Sequence, residues 1–109
     1  MNIREQTFFA SVASGATLSD VVELAGARFV GINVPSVTSC ALHVQAAVDA
    51  NAANMRRLLS VAGDGDLSFA VGPGSRYAFL EAMQGAAAMR LECGVAQADT
   101  RSFSILARF

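Results

Sequence analysis

This sequence predicts an all-β fold, a single antiparallel β-sandwich of jelly-roll type. Three observations carry that reading. Apolar residues recur at every second position through most of the chain, Gly, Pro, Ser and Asp punctuate the runs, and no linker divides them. Roughly seven to nine short strands separated by turn signals about ten residues apart are the pattern of a sandwich or jelly roll. One domain is expected over residues 1–109, with residues 1–10 serving as an N-terminal arm or an edge strand.

The alternation begins at Gln6 to Val12 and breaks at Ala13-Ser14-Gly15. Ser19 to Gly26 carries an N-cap candidate, early acids and a terminal Gly, so a short helical turn is expected near residues 20–25. The β-branched pair Val21-Val22 opposes it. In Arg28 to Val34, Val30, Ile32 and Val34 share a face, and Pro35 ends the pairing because it has no N–H to donate. Ala41 to Val48 follows, with Leu42, Val44, Ala46 and Val48 on one side and His43, Gln45 and Ala47 on the other. Residues 46 to 59 are rich in good helix formers, and a helix there would align Val48, Ala52, Met55 and Leu59. Asp49, Asn51 and Asn54 compete for backbone hydrogen bonds and favour turns, so residues 41 to 61 read as strand, turn, strand.

Gly63-Asp64-Gly65-Asp66 is a turn, after which Leu67, Phe69 and Val71 alternate up to Gly72-Pro73-Gly74. Tyr77 and Phe79 share a face in the next run, and Gly85 marks the turn after it. Met89, Leu91 and Cys93 alternate with Arg90 and Glu92, a charged pair facing solvent or a neighbour. The last strand has Phe103, Ile105 and Ala107 on one face and Ser104, Leu106 and Arg108 on the other, apolar atoms on both.

The 109 residues are 53% hydrophobic, but 21 of the 58 hydrophobic residues are Ala, leaving 37 larger ones for one small core. Mean hydropathy is +0.42 with only 16% charged residues, which excludes an intrinsically disordered chain. All eight basic residues are Arg, as in a GC-rich coding genome, and nine carboxylates bring the formal charge to −1. That balance argues against nucleic-acid binding, which needs a surplus of cations on one face. No apolar run approaches the roughly 20 residues that span a bilayer, and the start Met1-Asn2-Ile3-Arg4-Glu5 has no signal-peptide core, so no membrane partner is expected.

Chemistry-bearing groups are scarce. His43 is the single histidine and projects from a strand, which reads as a surface or interface side chain rather than a catalytic base. Cys40 and Cys93 make neither a C-x-x-C pair nor a disulfide framework and are expected as free, partly buried thiols. Two Cys and one His at dispersed positions do not compose a zinc site. Asp64-Gly65-Asp66 lacks the further acids of a calcium loop and reads as a hairpin turn. Neither glycine-rich phosphate motif occurs, and Arg56-Arg57 is explained by a solvated turn or an ion pair. No catalytic, cofactor or metal site is assigned, and no enzymatic activity is expected. The stretches expected to be exposed are rich in Ala, at positions 50, 52, 53, 86, 87, 88, 96 and 98. Small residues lose little entropy when covered, so a packed assembly is the natural expectation.

The order of several motifs carries a resemblance. Ser14-Gly15-Ala16-Thr17-Leu18-Ser19-Asp20 is followed by Leu24-Ala25-Gly26-Ala27-Arg28-Phe29-Val30-Gly31-Ile32 with Pro35 close behind, then Ala41-Leu42-His43-Val44-Gln45-Ala46. Ser75-Arg76-Tyr77-Ala78-Phe79-Leu80, Met89-Arg90-Leu91-Glu92-Cys93-Gly94 and Gln97-Ala98-Asp99-Thr100-Arg101-Ser102-Phe103-Ser104-Ile105 complete the series. Over residues 11 to 108 the chain resembles small virion proteins of tailed phages and gene transfer agents. It departs from them at Val37-Thr38-Ser39, where an aromatic is usual, and across Val48 to Met55, which lacks a tyrosine. The resemblance implies a non-enzymatic structural part of a particle: a capsid decoration protein, or the base or adaptor of a head spike. It implies the major capsid protein or a spike or fibre protein as partner, a homo-oligomer, and a place on the virion surface. The alternatives are a tail accessory protein, or an attachment module binding a host glycan through Tyr77.

Overall fold

The computed structural model describes residues 5–24, 29–49, 51–60, 63, 65–80 and 86–109. In chain order the strands are β1 (Glu5–Val12), β2 (Val22–Glu23), β3 (Phe29–Val34), β4 (Cys40–Ala47), β5 (Arg56–Arg57), β6 (Ser68–Val71), β7 (Arg76–Leu80), β8 (Ala88–Cys93) and β9 (Arg101–Arg108). A single 3-10 turn, Ala52–Asn54, is the helical element among the described residues.

The strands form two antiparallel sheets, ordered β1-β9-β3-β7 and β2-β8-β4-β5, with β6 also against β4. Gln45 and Ala46 of β4 pair with Arg57 and Arg56, while Cys40 to His43 pair with Val71 to Ser68. β5 and β6 are therefore two halves of one rim strand, interrupted by residues 58–67. Counted as one, they complete a jelly roll of two four-stranded sheets, in which every strand but this rim, which stays beside β4, lies in the sheet opposite its predecessor. The all-β sandwich is as the alternation predicted.

The core lies between the sheets. Val30, Ile32, Phe103 and Ile105 from one sheet meet Leu42, Val44, Met89 and Leu91 from the other, each at most 2% exposed. The period of two is clear in β3 and β9, both flanked by partners on two sides. Ser14 to Ala16 and the turn after Val71 lie at the same end, joined through Gln97 and residues 36–38. Gly74 sits there at φ 95, a conformation that costs a side-chain-bearing residue strain, and its N–H donates to Ser36 Oγ.

Three expectations are corrected. Residues 20–24 form no helical turn, and residue 25 lies outside the described residues. Val22 and Glu23 pair with Met89 and Ala88, Ser19 N–H donates to the Leu91 carbonyl, and Leu24 N–H to that of Ala87. Val22 and Leu24 both point into the core, a period of two that β-branched Val favours. Second, Val48 is 86% exposed, because it lies past the last paired residue of β4. Ala47 is buried instead, in a small cluster with Met55 and Ala88 on the outer side of the second sheet. Third, Ala88 is therefore covered rather than exposed, whereas Ala53, Ala96 and Ala98 are exposed and Ala86 and Ala87 half-buried. Ala50 lies outside the described residues.

The strand, turn, strand reading of residues 41 to 61 is correct. Asp49 Oδ1 accepts the Asn51 N–H at 3.0 Å and Asn51 Oδ1 that of Ala53 at 3.0 Å, so the polar side chains build the turn that delivers Met55 onto the sheet. The turn around residues 63–66 is also seen: Ser60 N–H donates to the Gly65 carbonyl and Leu59 bridges Asp66, with Asp64 itself outside the described residues.

Candidate functional site

The outer faces of the two sheets differ in kind. On the second sheet the register sets Glu92, His43 and Ser68 in one cross-strand row and Arg90, Gln45 and Arg57 in the next. The side chains connect within the second row and diagonally to Glu92 of the first. Arg90 Nε donates to Gln45 Oε1 at 2.7 Å, Gln45 Nε2 to Glu92 Oε1 at 2.6 Å, and Arg57 Nε to the same oxygen at 3.1 Å. The Arg57 guanidinium also bonds Glu92 Oε2, and its far end reaches Asp66 Oδ2 at 3.0 Å. Hydrogen bonding from Arg57, opposed by burial and aided by Gln45, holds the Glu92 carboxyl down at about 2. Arg57 is correspondingly raised, first by its bond to Glu92.

The row Glu92, His43, Ser68 has the residue types of a nucleophile relay but not its bonds. Both Glu92 oxygens are committed to Arg57 and Gln45, and His43 Nδ1 is buried without a hydrogen-bond partner. No base is joined to a nucleophile there. Of the expected Arg pair, Arg57 forms ion pairs and Arg56 donates to the Ala53 and Met55 carbonyls. Among the described residues no three His, Cys, Asp or Glu side chains gather as metal ligands would.

At one end of the sandwich the structure brings together what the sequence keeps apart. Cys40 and Cys93 are free thiols that interact, and burial, with a contribution from Cys40, pushes Cys93 up to about 12. Beside them Gln97 is 1% exposed. Its Oε1 accepts the Thr38 N–H at 2.9 Å, its Nε2 donates to the Val95 carbonyl, and its backbone joins Gly15 and Ala16. Three loops are tied by one residue. Nothing in the local sequence marks Gln97 as buried, since its neighbours Ala96 and Ala98 are exposed.

The outer face of the first sheet carries no such charged row. Its register sets Phe9, Ser104, Asn33 and Tyr77 across all four strands, with Thr7, Leu106 and Gly31 in the next row. Phe9 is 65% and Tyr77 75% exposed. Gly31 has no side chain to fill the middle, and a hollow of about 370 Å³ opens there, lined by Thr7, Gly31, Asn33, Tyr77, Ser104 and Leu106. Among the described residues of its strands, the charged groups of this face are Glu5 and Arg108, which stand opposite each other at its end and form an ion pair of 2.9 Å.

The chain matches no protein-family model and no curated protein sequence. Among solved structures it is similar to the SPBc2 prophage-derived protein YomS, at 12% identity and a TM-score of 0.64, covering 100% of this chain and 96% of that one. It is also similar to a protein of Bacillus endospore appendages, which form disulfide-linked pili, at 13% identity and a TM-score of 0.51, covering 98% and 87%. At these identities the likeness is one of fold.

Proposed function

We propose that the chain is a non-enzymatic structural protein of a phage or phage-like particle. It docks on the capsid surface as a decoration protein or as the base or adaptor of a head spike, and it works as a homo-oligomer. The observation that carries this reading is the unlike pair of outer faces. A subunit on a lattice needs one face that stays wet and one that dries at little cost, and burying unpaired charge is the main cost. The face of Arg57, Glu92 and Arg90 suits water; the face of Phe9, Tyr77, Leu106 and Gly31 suits contact. A fold shared with a prophage-derived protein, and the motif order over residues 11 to 108, support the same reading.

Mass spectrometry of purified particles tests it, and the chain is expected there in amounts comparable with other virion proteins. Its absence from clean particles rules the role out. A cryo-EM map of the particle then tests the orientation, with the Tyr77 face expected against the capsid.

One observation favours a second reading, a host-glycan attachment module: Tyr77 stands exposed at the rim of a hollow that also presents Thr7, Asn33 and Ser104. An aromatic platform flanked by hydroxyl and amide groups is how proteins hold neutral sugars. Tyr77→Ala is expected to abolish host adsorption on this reading, and unchanged adsorption removes it.

A further inference from the structure

The rims of the sandwich are defended unequally. β2 is two residues long, and the β5–β6 rim is broken by residues 58–67. β7 carries Arg76 on the same register as inward-facing Ala78, beside Val34 and Phe69 in a cleft of about 290 Å³ between the sheets. Short edges, interruptions and inward charges all discourage a foreign strand. β1 has none of these: eight residues without Pro, Lys or Arg, in unbroken register with β9 from Glu5↔Arg108 to Val12↔Arg101.

Among the described residues its outer backbone is open as far as Phe9. In an antiparallel ladder successive residues aim their N–H and C=O to opposite sides. Ser11 aims away from β9, for its carbonyl accepts the Asp20 N–H at 3.4 Å and its N–H donates to Asp20 Oδ1 at 2.6 Å. By the same alternation Glu5, Thr7 and Phe9 aim outward. Among the described residues nothing bonds the outward groups of Thr7 and Phe9.

We infer that a second copy of this chain lays its β1 antiparallel along this rim, with the two Thr7 residues facing each other across a two-fold axis. Asp20 occupies the Ser11 groups, so the free outward set is Glu5, Thr7 and Phe9, and it is centred on Thr7. Pairing Glu5 with Phe9 of the other copy, and Thr7 with its equivalent, makes about six main-chain hydrogen bonds. A strand is always complementary to itself in this sense, and no like charges meet: Glu5 faces Phe9 and is already paired with Arg108. The axis runs perpendicular to the sheet, so the two four-stranded sheets become one continuous sheet with both Gly31 hollows on the same side. This deepens the homo-oligomer in the proposed function and rests on that part of it alone.

Directly hydrogen-bonded antiparallel residues have Cα atoms about 5.5 Å apart, within disulfide range. The test therefore uses the purified full chain carrying Thr7→Cys, oxidised with glutathione disulfide and run on a non-reducing gel. Asn33→Cys, exposed on the sheet face, and the unaltered chain serve as controls. A covalent dimer forming about tenfold faster through Thr7→Cys than through Asn33→Cys is expected, as a raised effective concentration requires. Light scattering of Thr7→Pro is expected to give a monomer that keeps the circular dichroism of the unaltered chain, since the lost N–H points outward. Equal crosslinking at both positions, or faster crosslinking at Asn33→Cys, overturns the edge pairing, as does a monomeric unaltered chain. A chain found in particles that fails to crosslink through Thr7→Cys loses the edge pairing and keeps the particle role. A crosslinked dimer absent from particles does the reverse.

Discussion

Glu92 is bonded by Arg57 on one side and Gln45 on the other, and its carboxyl is lowered from 4.5 to about 2 chiefly by the Arg57 bond. A depressed carboxyl contributes stability that is complete above its unfolded value and is lost as pH falls through its folded one. The melting temperature of the unaltered chain is therefore expected to drop between pH 4.5 and about 2 by more than that of Glu92→Gln. Parallel pH curves for the two proteins refute this. Cys93, at 1% exposure and pushed up to about 12, carries neither the access nor the thiolate that alkylation needs. Iodoacetamide near neutral pH is expected to leave it unmodified in the folded protein and to label it in urea, read by intact-mass spectrometry. The sequence reading of His43 as a strand residue and of two free thiols needed only residue types and spacing. That Cys40 and Cys93 touch, and that Gln97 is buried, depends on loops that meet only after the sheets close.

Strands were legible in proportion to their length and to the difference between their two faces. β4, β8 and β9 alternate over six to eight residues and read correctly. β2 is two residues long, and the partners that make it a strand are distant: Ser19 accepts the Leu91 N–H across 72 positions. Local composition there favours a helix cap, and the waiting edge of β8 overrides it. The same limit misplaced Val48, because alternation continues in the sequence after pairing has stopped at Ala47. Two substitutions separate the readings. Met55 is 6% exposed against Ala47 and Ala88, so Met55→Ala is expected to cost about 2 kcal/mol in urea unfolding. Val48→Ser, at 86% exposure, is expected to stay within about 0.5 kcal/mol. Equal costs for the two contradict the burial pattern.

The whole molecule has a direction, which neither composition nor net charge reveals. A formal charge of −1 looks uniform in the sequence, yet Arg57, Glu92, Arg90 and Asp66 are linked on one outer face while Ser104, Asn33 and Tyr77 stand in a row on the other. In the proposed pair joined along β1 both neutral faces look the same way, so docking of that pair on a lattice would engage two points instead of one. Asn33→Asp probes this with almost no change of shape: Asn33 is exposed, so folding stability is expected to move by no more than about 0.5 kcal/mol. A covered carboxylate without a partner must be desolvated, and binding of the purified chain to particles lacking it is expected to weaken about tenfold or more. Ser68→Asp, exposed on the opposite outer face, is expected to bind as the unaltered chain does. A loss of binding with Ser68→Asp and none with Asn33→Asp reverses the orientation, placing the charged sheet against the particle and the Tyr77 hollow toward solvent.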